Sequence, residues 1–182
     1  MDQELFEMPS DFSGETRLFP LPNLVMFPQN VQPLHVFESR YREMVEDAIR
    51  GDQLIALATL MPGYETDYYS RPPVAEQICI GRIASHERTD DGKYNLLLVG
   101  IRRAQIRSEV TPVKSFRRAN VQIIDERLTE TSDHDVDALG QDLARCLVTS
   151  LPAAKELVDE FLKGNVSLGT LTDIVAFHFP FS

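Results

Sequence analysis

Residues 18–49, LFPLPNLVMFPQNVQPLHVFESRYREMVEDAI, decide how this chain folds. Pro20, Pro22, Pro28 and Pro33 each fix φ and remove a backbone donor, which excludes a helix and the middle of a sheet ladder. Yet Leu18, Phe19, Leu21, Leu24, Val25, Met26 and Phe27 are too apolar for a solvated linker. Short strands at the edge of a barrel meet both constraints, with buried faces and prolines at ends and bends. The reading places strands over 17–22, 24–27 and 33–37. A helix follows over about 39–50, with Tyr41, Met44, Val45, Ala48 and Ile49 in one apolar stripe and Glu43, Glu46 and Asp47 facing water. Ser39 is its expected cap and Gly51 its expected stop.

Working outward, residues 54–60 (LIALATL) lack polar alternation and predict a strand covered on both faces. Residues 61–77 hold prolines, a glycine and three tyrosines, and read as a long irregular excursion. Beyond it, 78–88 and 94–101 flank the turn Asp90-Asp91-Gly92-Lys93, whose Asp-Gly pair tolerates positive φ. Both faces of 94–101 are apolar, so this strand should be central. Gly81 and Gly100 mark bulges or close backbone approach. Further strands over 104–110 and 119–124 complete a set of five to seven.

Around Leu128 the character switches to helix. Asp133, Asp135 and Asp137 sit at a helix start, where negative charge suits the macrodipole. Val136, Leu139, Leu143 and Leu147, with neighbouring Cys146, should share a face. Leu151-Pro152 opens a second helix carrying Ala154, Leu157, Val158, Phe161 and Leu162 on one stripe, and Ser167 caps a third. The expected organisation is a mobile tail over 1–14, a β-barrel subdomain with one helix over 15–127, and an acidic helical subdomain over 128–182. The ending Phe179-Pro180-Phe181-Ser182 leaves apolar residues unpaired and reads as a truncation.

The formal net charge of −10 on 182 residues repels phosphate backbones and anionic membranes, which disfavours nucleic acid or lipid as the main partner. The acidic N-terminus lacks the basic and apolar regions of a secretory signal, and no apolar run is long enough to span a bilayer. Cys79 and Cys146 stand far apart without a CxxC neighbour and are expected as two buried, reduced thiols. The expected location is the cytoplasm.

Catalytic motifs are missing. The sequence contains no GxxxxGK[ST], no GxGxxG and no GxSxG, so neither a phosphate-cradling loop nor a serine elbow is present. A Ser150–Lys155 pairing carries no weight on solvated helix ends. His35, His86, His134 and His178 have no ligand neighbours at zinc spacing, and His35 and His178 read as packed or hydrogen-bonded residues. No cofactor and no metal are expected. One basic run opposes the overall charge: Arg102, Arg103, Arg107, Lys114, Arg117 and Arg118. It reads either as a patch for RNA or an acidic surface, or as solvated positions that pair with the acidic helices that follow. The candidate binding site is the excursion's Met61, Tyr64, Tyr68 and Tyr69, a thioether and amphipathic rings of the types that bind peptides with modest specificity. The plainer alternative is that two of these rings cover the barrel mouth.

Taken in order, several blocks resemble the N-terminal, substrate-binding domain of Lon proteases. They are Leu18-Phe19-Pro20-Leu21, Val25-Met26-Phe27-Pro28, Gln32-Pro33-Leu34, Val36-Phe37 and the helix holding Tyr41. They continue with Ile80-Gly81-Arg82-Ile83-Ala84, Asp91-Gly92-Lys93-Tyr94-Asn95 and Val99-Gly100-Ile101-Arg102-Arg103-Ala104-Gln105-Ile106. The resemblance covers Arg17 to the C-terminus. It implies an α+β chain: a PUA-like β pseudo-barrel followed by an α-helical bundle.

In that family the ATPase and the serine–lysine peptidase lie further along the chain, and neither motif is in this sequence, so catalysis does not carry over. What the resemblance implies is a non-enzymatic module that binds unfolded or degradation-marked polypeptides in protein quality control and helps subunits self-associate. The alternative is an RNA-binding PUA-like module using Arg102 to Arg118. Family members usually continue with a further helix after the LTDI-type segment, in line with the truncated ending.

Overall fold

The computed structural model describes residues 3–111, 114–125 and 133–178. It is an α+β protein with a mixed six-stranded sheet and, among the described residues, four α-helices. The chain divides after Ile124 into two compact units.

In the first unit, β1 (Glu15–Leu21), β2 (Val31–Val36), α1 (Ser39–Arg50) and β3 (Leu54–Thr59) precede the long hairpin β4 (Gln77–Arg88) and β5 (Tyr94–Glu109), with β6 (Arg117–Ile123) last. The sheet order is β2-β5-β4-β3-β1-β6, and β6 also pairs with β5, so five strands close into a ring with β2 outside it. Only β1 and β3 run parallel, because α1 carries the chain back over the sheet between them.

The prolines sit where the ladder tolerates them. Pro33 lies in β2, an edge strand. Pro20 lies in β1 opposite Ala58, past Glu15–Leu18 where β6 pairs on the other side. The strand predicted over 24–27 does not form. Asn23 and Gln29 bracket it with left-handed backbone (φ 54° and 64°), and its polar groups serve loop contacts instead. The Leu24 carbonyl accepts from Thr59 Oγ1 at 2.9 Å, and Gln29 N donates to Gly100 O at 2.8 Å. Gly100 is required here, since a Cβ would lie 2.1 Å from the Phe27 carbonyl oxygen. Across β4, Gly81 faces Gly100, and a Cβ there would meet Leu98 at 2.7 Å.

Every residue of β3 up to Ala58 is buried, because the strand has a core on each face. Inside the ring lie Leu18, Leu54, Ala56, Ile80, Ile101 and Ala119, one or more from each of the five strands. Outside it, Tyr41, Met44, Val45 and Ala48 of α1 pack on Phe19, Ile55, Leu57 and Leu98. Each large side chain buried this way contributes roughly 1.5–3 kcal/mol. Residues predicted as a mobile tail form a 3-10 turn at Gln3–Phe6, and Met8 and Phe12 pack against the ring's inner core.

The ends of α1 differ in detail from the sequence reading. Glu38 rather than Ser39 holds the cap position and makes no cap bond, its carboxylate being engaged elsewhere. Gly51 is not left-handed (φ −113°); Gln53 takes that role at φ 61°. Gly51 leaves room for Arg17, whose Nη2 would lie 3.0 Å from a Cβ. Arg17 donates to Asp47 Oδ2 at 2.7 Å, to Asp52 Oδ1 at 2.6 Å and to the Leu54 carbonyl at 3.2 Å, tying β1 to the end of α1 and the start of β3.

The second unit comprises α2 (Asp133–Ser150), a 3-10 turn at Pro152–Ala154, α3 (Lys155–Leu162) and α4 (Leu168–His178). Its core is Ala144, Leu147, Ala154, Val158 and Leu171. Ser167 Oγ accepts from Thr170 N at 3.1 Å, the predicted cap. The buried stripe of α2 is turned from the predicted one: Leu139 is 62% exposed, while Gly140 and Ala144 face inward. Small residues win that face because Phe161 packs there, 2.8 Å from where a Gly140 Cβ would be. Cys146, expected buried, is exposed, while Cys79 is buried in β4. Leu128, the 179–182 ending and the side chains of Asp133, His134, Asp135 and His178 lie outside the described residues.

Candidate functional site

The excursion between β3 and β4 is closed at its neck. Leu60 and Val74 form an antiparallel bridge, Met61 N donates to Pro73 O at 3.0 Å, and Ala75 N donates to Thr59 O at 2.9 Å. Gly63, at φ +90°, turns the chain into the 3-10 turn Tyr64–Thr66, a conformation glycine adopts without strain. Asp67 N then donates to Tyr64 O at 3.1 Å and Ser70 N to Asp67 O at 2.9 Å. Loops of this kind, with ends close and polar groups satisfied internally, are compact.

Two anchors fix the loop, one to β6 and one to the start of α1. At its far end, Arg117 Nη1 donates to Pro72 O at 2.7 Å, and Arg71 lies 3.4 Å from Glu109, which also pairs with Arg117. At its middle, the Tyr68 hydroxyl donates to Glu38 Oε1 at 2.6 Å. Arg40 completes this second anchor: it pairs with Glu38 at 3.0 Å and donates to the Tyr68 carbonyl at 3.3 Å. Its guanidinium lies 4.6 Å from the Tyr41 ring and 5.2 Å from the Tyr68 ring. Tyr41 in turn packs on Phe19 at 4.6 Å, so the loop is coupled through two rings to the core.

Burial raises the Tyr68 phenol, and the hydrogen bond to the Glu38 carboxylate raises it further, to about 12. Burial also pushes the Tyr41 phenol up, against the pull of Arg40. Both phenols are therefore neutral throughout the physiological range, and that of Tyr68 remains a donor to Glu38.

Three of the four predicted site residues come together. Tyr64 and Tyr68 have centroids 6.2 Å apart, and Tyr69 meets Tyr68 edge-on at 5.4 Å. Tyr69 is 89% exposed. Met61 stands at the neck, also exposed, outside the described ring contacts. Sequence reading missed Glu38 and Arg40, because two charged residues at a helix start look like ordinary solvated positions.

Several residues of the basic run are engaged in ion pairs and hydrogen bonds of the first unit. Lys114 pairs with Asp47 at 2.7 Å, Arg118 with Glu15 at 2.6 Å, and Arg117 with Glu109. Arg107 donates to Gln122, and Arg103 lies 5.8 Å from the Phe27 ring. His35 is exposed on the outer face of β2, with Nδ1 2.7 Å from Asn95 Oδ1. Among the described residues no group of His, Cys, Asp or Glu is placed to hold a metal, and no helix is long and apolar enough to cross a membrane.

A family profile described as the ATP-dependent protease La (LON) substrate-binding domain matches residues 15–182. The chain belongs to this family. It is 27% identical over 165 residues to Lon protease 2 of Myxococcus xanthus, covering 87% of this chain and 19% of that protein. It is 26% identical over 172 residues to a Lon protease of Anaeromyxobacter dehalogenans, covering 91% and 20%. The chain thus spans about a fifth of the length of these relatives. Its fold is shared with the N-terminal domain of a Mycobacterium avium complex Lon protease, at TM-score 0.66 and 18% identity over 92% of this chain and 84% of that one. A Lon N-terminal domain protein from Xanthomonas campestris aligns at TM-score 0.55 and 24% identity, covering 74% and 73%.

Proposed function

We propose that this chain is a non-catalytic module that binds unfolded or degradation-marked polypeptides for protein quality control in the cytoplasm. Within its Lon-type fold, the closed strand ring supports reading the first unit as a PUA-like pseudo-barrel. The cluster of Leu147, Val158 and Leu171 supports reading the second as a helical bundle. The binding site is the aromatic loop, with Tyr64, Tyr68 and Tyr69 in contact with the polypeptide and Met61 flanking them.

One observation carries this reading: Glu38 and Arg40 fix Tyr68, Arg117 fixes Pro72, and Tyr69, edge-on to the anchored Tyr68 ring, is left 89% exposed. Held rings lose little entropy on binding, and tyrosine offers apolar area together with a hydrogen-bonding tip. Self-association of the module is part of the proposal, since it would set several such loops side by side and raise avidity.

The test is fluorescence anisotropy with a labelled model protein, reduced and alkylated so that it stays unfolded. The wild-type chain should bind it, and a Tyr64→Ala, Tyr68→Ala, Tyr69→Ala variant should bind about tenfold more weakly, the scale of an aromatic hot spot. Unchanged affinity in the triple variant would remove the site from the proposal. Sedimentation over a range of concentrations tests self-association.

A further inference from the structure

We infer that the aromatic loop selects polypeptide segments in which a lysine or arginine neighbours an apolar residue. This rests on the loop being the binding site, as proposed above.

Three features of the loop point to a cation. The first is its charge. Glu65 and Asp67 both lie between Tyr64 and Tyr68 along the chain, both are exposed, and neither makes an ion pair among the described residues. The loop's own cation, Arg71, is directed to Glu109, and Arg117 beneath it goes to the same carboxylate. The outer surface of the loop is therefore left with two uncompensated negative charges beside aromatic faces.

The second is the behaviour of the same surface toward a cation already present. Arg40 lies on the rings of Tyr41 and Tyr68 while its guanidinium reaches a carboxylate, Glu38, at 3.0 Å. That is one ring-plus-carboxylate seat, filled from within the molecule. The same residue types, tyrosine and carboxylate, adjoin in sequence at Tyr64-Glu65 and at Asp67-Tyr68-Tyr69, where Glu65, Asp67 and Tyr69 are exposed. A tyrosine face attracts a cation through its quadrupole, and the methylene stem of lysine or arginine lies on the ring while the charged head stays near the carboxylate.

The third is the backbone. Asp67 N and Ser70 N are bonded within the loop, so the Glu65 and Asp67 carboxylates are not consumed in capping their own turn. An apolar residue beside the cation would lie along the ring row from Tyr64 to Tyr69.

The test uses three labelled peptides of identical apolar composition, flanked by lysine, by glutamine or by glutamate. The wild-type chain should bind the lysine peptide about fivefold more tightly than the glutamine peptide at low salt, the scale of two exposed ion pairs, and the glutamate peptide most weakly. Raising the salt should compress the series. A Glu65→Gln, Asp67→Asn variant should bind the glutamine peptide like the wild type and lose the preference for lysine. Equal binding of all three peptides by the wild type, or a lysine preference surviving in the double variant, overturns the inference while leaving the aromatic site standing. If the glutamine peptide binds the triple tyrosine variant as well as it binds wild type, the site itself falls, and this inference falls with it.

Discussion

The hydroxyl of Tyr68 donates to the carboxylate of Glu38 across 2.6 Å, joining the middle of a surface loop to the first turn of α1. Thirty residues of chain are closed by that one bond. The same carboxylate also pairs with Arg40 at 3.0 Å.

Burial of the phenol, together with this bond, has a pH signature. The folded Tyr68 phenol titrates at about 12, above its ordinary 10.0, so its contribution is complete below pH 10 and is lost as the pH rises toward 12. Tyr68→Phe should cost about 1 kcal/mol at neutral pH and remove part of the alkaline loss of stability. Denaturant unfolding across alkaline pH, with tyrosinate absorbance as a second probe, checks this. An unchanged alkaline profile in the variant would show that folding does not raise the Tyr68 phenol.

Gly100 and Gly63 should respond very differently to alanine. At Gly100 the new methyl meets the Phe27 carbonyl oxygen at 2.1 Å and Pro28 Cα at 3.2 Å, both backbone, so about 3 kcal/mol or more should be lost. At Gly63 nothing lies within 4 Å, and only the left-handed φ of +90° is penalised, at about 1–2 kcal/mol confined to the loop. Thermal unfolding of the two variants gives the order directly.

Asp47 receives bonds from Arg17 and Lys114, each at 2.7 Å. Burial pushes its carboxyl upward, but the hydrogen bonds from Lys114 and Arg17 outweigh this and hold it below the ordinary 3.8. A depressed carboxylate stabilises above the unfolded value and loses its effect as pH falls through the folded one, so the contribution fades in acid below about pH 4. Asp47→Asn should lower stability at pH 7 by about 1–2 kcal/mol and flatten the acid limb. Urea unfolding at several pH values separates the two effects.

In the second unit, Leu171 is fully buried between helices. Leu171→Ala should cost about 2–5 kcal/mol there. Hydrogen exchange should show α2 to α4 losing protection while β1 to β6 keep theirs. Equal loss in both units would mean that they unfold as one.

Much of the fold was legible because its signals are local. The α1 stripe, the Asp-Gly hairpin, the doubly apolar β3 and the Ser167 cap each follow from residues within one element. Where the reading failed, a distant partner decided. The 24–27 segment has strand composition, but the backbone of Gly100 takes its loop's hydrogen bonds. Leu139 has core composition, yet Phe161 needs the space over Gly140. At the site, tyrosines are conspicuous in any sequence, and their clustering in one loop was visible. Glu38 and Arg40 were not, because their role exists only once α1 and the loop are adjacent.

The double pairing of β6, with β1 at one edge and β5 at the other, also has a kinetic meaning. Glu15 meets Asn120, so the ring cannot shut until nearly all of the first unit has left the ribosome, and long-range closures of this kind are slow. Until then β1 and β5 present open edges, the surfaces most prone to pair with other chains. A chain ended just before Arg117 should therefore aggregate where one ended after Ile124 stays dispersed, a contrast that light scattering during refolding would register. A protein proposed to handle unfolded chains is itself, for that interval, one of them.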